Sequence, residues 1–153
     1  MRNLATLFLL LLFSIVAHAE CAFPKADQPH ATLVIYRPHN QYAMLMGANV
    51  YLDNVRVCRL SNGRFLVAPI SVGQHLLHAG SEKNVAIEVK PGNAYYFRIG
   101  VMLSLCCKPQ SAFHLQAQAG QAASLELTNL SPQNGEMSPL PTPAGPDLGV
   151  PVR

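Results

Sequence analysis

The feature that most restricts the fold is a rhythm of short β-type runs broken by turn residues. "TLVIYR" (32–37) is rich in β-branched residues and is stopped by Pro38. "ANVYLD" (48–53) puts Val50 and Leu52 on one face and Tyr51 and Asp53 on the other. Asp53–Asn54 is a turn signal, and "VRVCRL" follows at once, the pattern of a hairpin. "SNG" (61–63) makes a second turn before "RFLVAP", and "VGQ" precedes "HLLHA" (75–79). "NVAIEVK" (84–90) points Val85, Ile87 and Val89 inward, with Glu88 and Lys90 outward. Pro91–Gly92–Asn93 is a tight turn into "AYYFRIGVML", where Tyr95, Phe97, Ile99 and Val101 share one face and Tyr96 and Arg98 the other. "AFHLQAQ" (112–118) is the last strand candidate. About seven to eight short strands, with turn signals roughly every 8–12 residues, predict an all-β chain folded as an antiparallel β-sandwich. "AASLELTNL" (122–130) fits either a short helix or an edge strand.

The two ends read differently from this middle. Arg2 precedes a nearly unbroken apolar run from Leu4 to Val16, and "AHA" (17–19) supplies small residues at a cleavage site. This is the pattern of a cleaved secretory signal peptide over residues 1–19. The run is short for a bilayer span, which takes about 20 apolar residues, so no integral span is expected after cleavage. Glu20 stands where a lipoprotein signal wants a small residue before Cys21, so a soluble product is expected, periplasmic or secreted. Residues 20–31 form an irregular leader with Pro24 and Pro29, and 32–130 the sandwich domain. The segment 131–153 is rich in Pro and Gly, cannot build a core, and is expected to be a disordered tail. A tail of this composition is either simply solvated or a tether.

Removing the signal takes away one charge, Arg2, so the net charge falls from +3 to +2. The remaining Lys and Arg are dispersed, with no basic block interleaved with aromatics, so no nucleic-acid partner is expected. The chain has four cysteines, Cys21, Cys58, Cys106 and Cys107, and an oxidising compartment makes disulfides their default state. Neighbouring Cα atoms sit about 3.8 Å apart, whereas bridged ones usually want about 4.4–6.8 Å. A Cys106–Cys107 bridge is therefore strained, and in extended chain the two side chains point apart. The expected pattern is Cys58 with Cys106 or Cys107, and Cys21 stapling the leader to the other. The competing pattern is a reducible Cys106–Cys107 bridge with a redox role, which would want a base such as His114 nearby.

The sequence holds no G-x-S-x-G elbow, P-loop, dinucleotide fingerprint or C-x-x-C pair. Glu82 and Glu88 are the closest carboxylates of the β-rich region, and both fall at surface positions. His75 and His78 are three apart, which on a strand puts them on opposite faces and makes a poor metal pair. No catalytic residue, metal or cofactor is therefore expected. The outward aromatic and arginine positions, Tyr36, Arg37, Tyr51, Tyr96 and Arg98, form the candidate ligand face. Tyr stacks and hydrogen-bonds, and Arg recognises carboxylate or phosphate, so such a face suits a glycan or an acidic peptide. The same positions also serve as ordinary cross-strand pairs.

"VIYRP" (34–38), "VYLDNVRVCRLSNGRF" (50–65), "VGQHLLHAG" (72–80) and "VKPGNAYYFRIGV" (89–101) together resemble the bacterial domain-of-unknown-function family 2846. The resemblance runs from about Thr32 to Leu115, and the layout is similar to the small PEGA-type β-domains of surface proteins. It implies a compact β-sandwich in a family of small exported proteins, many of them lipoproteins, with no established activity. The function expected is a non-enzymatic cell-envelope module that binds an envelope protein or cell-wall component. The alternatives are a thiol redox protein using Cys106 and Cys107, or a secreted inhibitor or immunity-type protein. The sequence leaves the oligomeric state open.

Overall fold

The alternating runs become strands β1 (His30–Arg37), β2 (Ala48–Leu52), β3 (Val55–Leu60), β4 (Arg64–Ser71), β5 (Gly73–Ala79), β6 (Val85–Val89), β7 (Ala94–Leu103) and β8 (Ser111–Gln118). The computed structural model describes residues 21–80, 84–103 and 111–133. The expected signal peptide, most of the expected tail, and Cys106 and Cys107 lie outside them. The ambiguous stretch at 122–130 folds as a helix, α1 (Gly120–Leu127), followed by a two-residue strand, β9 (Ser131–Pro132).

The strands form two sheets, ordered β8-β7-β1-β4-β9 and β3-β2-β5-β6. Hairpins join β2 to β3, β5 to β6 and β7 to β8, and the remaining connections among β1 to β7 cross between sheets. The first hairpin turns on Asp53 and Asn54 with φ of 50° and 65°, positive at both central residues as a right-twisted ribbon wants. The sandwich is as expected, with one refinement in strand direction. Each connection from β1 to β8 reverses the chain, so among these eight the odd-numbered strands run one way and the even-numbered ones the other. β1 and β7 are both odd and become neighbours, so they pair in parallel; β9 follows α1, stands outside this alternation, and pairs in parallel with β4.

The core lies between the sheets and uses the faces that alternation assigns: Leu33 and Ile35, Val50 and Leu52, Ile87 and Val89, Tyr95, Phe97 and Ile99. A second cluster lies outside the larger sheet, where Ala123 and Leu127 of α1 cover Val34, Tyr36, Phe65 and Tyr96. β1 is thus buried on both faces, which is why it reads as continuous apolar sequence. The Tyr95 hydroxyl donates to the Glu88 carbonyl and accepts from the Lys90 N–H, strapping β6 to β7 beside their turn.

The leader corrects the expected disulfide pattern. Cys58 is bonded to Cys21, not to Cys106 or Cys107. The Ala22 N–H donates to the Val57 carbonyl at 2.8 Å, laying the leader along β3, an edge strand. β7, which leads to Cys106 and Cys107, belongs to the other sheet. Among the described residues, no helix is long and apolar enough to cross a membrane.

Candidate functional site

Register places one set of connections at a common end of the sandwich. Arg37 at the close of β1 faces Arg64 at the start of β4, Leu60 faces Ala48, and Leu103 faces Ser111. At this end the β1–β2 loop, residues 38–47, is built around the Arg37 side chain. Arg37 has the same parity as Leu33 and Ile35, so it points between the sheets and is 0% exposed. Its guanidinium donates to the carbonyls of Ala43 at 2.6 Å and of Met46, with a longer contact to the Leu60 carbonyl at 3.4 Å. It also lies over the Phe113 ring, 4.8 Å from the centroid. Its Nε has no hydrogen-bond partner. Burial pulls its pKa below the ordinary guanidinium value, yet an arginine stays charged in a protein. Carbonyl dipoles and the ring face offset that charge, since no carboxylate is among its hydrogen-bond partners.

The same carbonyls fix the loop. The Asn40 side-chain oxygen accepts from the N–H groups of Tyr42 and Ala43 at 2.9 and 3.2 Å, an Asx turn. The Asn40 N–H donates to Asn62 in the β3–β4 turn, and the Met46 N–H to the Ala43 carbonyl. Gly63 has φ +68°, a conformation that favours glycine, and a Cβ there would meet the His39 ring, while Gly47 lies close against the Arg59 side chain. With its backbone turned inward and Ala43 buried, the loop directs its large side chains out. Tyr42, Met44, Leu45 and Met46 are 82%, 63%, 93% and 42% exposed. Among the described residues, this is the one loop that turns four large apolar side chains within five positions to solvent. It went unread in the sequence, although its signal is there: a five-residue apolar run, "YAMLM", sits in a connection and not in a strand.

The candidate ligand face does not stay together. Tyr36, Tyr96 and Arg98 do gather on the outer side of the larger sheet, but α1 covers them there. Glu126 of α1 pairs with the Arg98 Nε at 2.9 Å. Burial pushes the Tyr36 hydroxyl well above the ordinary phenol range. The nearby Glu126 carboxylate pushes the same way and Arg98 opposes, although the hydroxyl makes no hydrogen bond of good geometry. Burial raises Tyr96 as well. Arg37 faces the interior, and Tyr51 lies on the outer side of the other sheet, stacked on His78 with ring centroids 4.4 Å apart. These positions therefore do not form one solvent-facing surface.

The histidines are placed as strand parity dictates. His75 sits at the opposite end of the sandwich, with Nδ1 2.7 Å from Asp53 Oδ2 and Nε2 3.0 Å from the Ser71 carbonyl. Both ring nitrogens are thus engaged, as a tie between turns. Asp53 Oδ1 accepts from the Leu76 N–H at 2.9 Å. Burial pushes the Asp53 carboxyl up, but the bonds from Leu76 and His75 outweigh it and hold the group below its ordinary value. Among the described residues, no group of three or more His, Cys, Asp or Glu side chains is placed to hold a metal.

No curated protein matches the chain. The model of a family described as protein of unknown function, DUF2846, matches residues 27–112, more than half of the sequence. That span runs from the leader through β1 to the start of β8 and takes in Arg37 and the loop it holds, and the chain belongs to this family.

Proposed function

We propose that the protein is a non-enzymatic interaction module of the cell envelope, and that the apolar β1–β2 loop makes its contact. The observation that carries this is the pairing of opposites in that loop: backbone clamped by a buried guanidinium, large apolar side chains turned to solvent. A loop needed only as a connection has no reason to be both ordered and apolar. Binding residues are commonly set on loops held by a rigid scaffold, and prior ordering lowers the entropy cost of binding. The sheet faces offer less, because α1 covers one and the Tyr51–His78 stack occupies part of the other. Export is supported by the Cys21–Cys58 bridge, which suits an oxidising compartment and leaves the Cys21 sulfur unable to carry a lipid.

A photo-crosslinking side chain placed at Leu45, with one at the exposed Gln74 as control, tests this reading in intact cells. The expected outcome is an ultraviolet-dependent adduct, to protein or to lipid, from position 45 and none from position 74. Equal adducts from the two positions, or none from position 45, would show that the loop is not the contact.

A further inference from the structure

We infer that the loop's occupant is the surface of a bilayer containing anionic phospholipid, entered to headgroup depth by Tyr42, Met44, Leu45 and Met46. The inference rests on the loop being the contact and adds what it touches. Four large apolar side chains turned to solvent from one loop suit a medium that yields around them, which an interface between headgroups and acyl chains does. The side chains suit that depth: tyrosine carries an apolar ring and a polar end, and leucine and methionine are apolar throughout.

Residues 39–49 contain no Asp, Glu, Lys or Arg, so nothing charged must be buried with the loop. Around its base, the Arg59 side chain lies against Gly47, and Arg64 reaches the Pro132 carbonyl beside the β3–β4 turn. The described carboxylates are elsewhere. Asp53 is tied to His75 at the opposite end, Glu126 is paired with Arg98 under α1, Glu88 lies near the β6–β7 turn, and Asp27 is in the leader. The described part of the loop end therefore offers cations around an apolar point, the complement of an anionic headgroup layer. Arg37 keeps the point formed in the absence of lipid, so docking does not have to order it.

The sequence contains no tryptophan, so a single introduced one reports on its own position. Leu45→Trp and the control Gln74→Trp would be made in the chain from Glu20 onward. That chain keeps every described residue and lacks the apolar N-terminal segment, which would bind vesicles by itself. Each would be mixed with phosphatidylcholine vesicles with and without phosphatidylglycerol. Expected are a blue-shifted emission and quenching by brominated lipid for Leu45→Trp on the anionic vesicles, with neither for Gln74→Trp. Co-sedimentation of the tryptophan-free chain should weaken roughly tenfold or more in Leu45→Asp, and weaken as salt is raised. A shift of equal size on neutral vesicles would overturn the assignment of anionic lipid, and a matching shift at position 74 would overturn docking through the loop. Unshifted emission from both reporters on both vesicles would overturn the bilayer as occupant. In that last case a protein adduct from position 45 in cells would leave the loop as the contact, whereas no adduct would remove that reading too.

Discussion

Arg37 is a fully buried cation whose hydrogen-bond partners are carbonyls and whose stacking partner is a ring. A forked guanidinium can serve several carbonyls and lie flat on Phe113, which a lysine ammonium cannot. Arg37→Lys should therefore lose about 2–3 kcal/mol in urea unfolding. Arg37→Met removes the buried charge along with its hydrogen bonds, so its loss should be smaller. Both should speed proteolysis within residues 38–47, and a lysine variant as stable and as resistant as the parent would show that the fork is not what holds the loop. Asp53 gives a pH signature of known sign. Its carboxyl is held below the ordinary value when folded, so its contribution is complete above the unfolded pKa of about 3.9 and fades as pH falls through the folded value. The group is about half exposed, so that contribution is a few tenths of a kcal/mol. The stability gap between the parent and Asp53→Asn should be present at pH 6 and shrink toward zero below pH 3. Part of this scale was open to the sequence. Tyr36 and Arg37 are adjacent in a strand and face opposite sides, so they never belonged to one ligand face.

α1 is the element that alternation could not place. Its cap residue, Ala119, makes no side-chain capping bond, and its first turn holds no acid. What keeps it helical is docking, through Ala123 and Leu127, onto the outer face of the larger sheet. Leu127→Ala should cost about 2–3 kcal/mol and change the near-ultraviolet dichroism of Tyr36 and Tyr96. Ala119→Ser should instead stabilise by about 0.5–1 kcal/mol by supplying the missing acceptor; the backbone there already has the extended geometry of a cap, with ψ 142°. No gain in midpoint would mean that the helix end is held by tertiary contacts alone. Strands were legible because a two-residue period is local: "VRVCRL" and "AYYFRIGVML" coincide with β3 and β7. Leu125 and Leu127 read ambiguously because one of them, Leu125, faces solvent and carries no periodicity. Alternation places Tyr96 and Arg98 on the outer side of β7, but whether outward means solvent depends on a helix more than twenty residues later in the chain.

At the scale of the whole molecule, the sequence supplied the faces and not the neighbours. Alternation says which residues share a side of a strand, and it is silent about which strand lies next to it, because pairing is decided by distant burial. The cysteines show the consequence. Cys58 is in the hairpin arm and Cys106 and Cys107 follow the long strand, so pairing them was reasonable along the chain, but β3 is an edge of one sheet and β7 is inside the other. What lies beside β3 is the leader, with Ala22 bonded to Val57 and Cys21 to Cys58. This bridge covers an edge that would otherwise present free backbone groups for pairing with another chain. It joins residues 37 apart in sequence, and on the chain-entropy account a loop of that size contributes on the order of 3–4 kcal/mol by restricting the unfolded state. Cys58→Ser and Cys21→Ser should each lower the midpoint of thermal unfolding by a similar amount, and the double substitution by little more, since either one removes the same bond. The serine at position 58 should cost slightly more, because Cys58 is buried among apolar residues and a hydroxyl there lacks an assured partner. The sandwich should survive in all three, because the two sheets build the core between them and the leader adds only the partly buried Cys21 and Phe23 to it, while amide exchange at Ala22 and along β3 should quicken. Non-reducing peptide mapping supplies the direct check: a Cys21–Cys58 peptide is expected, and recovery of Cys58 joined to Cys106 or Cys107 would overturn the assignment and return the leader to an unpinned segment.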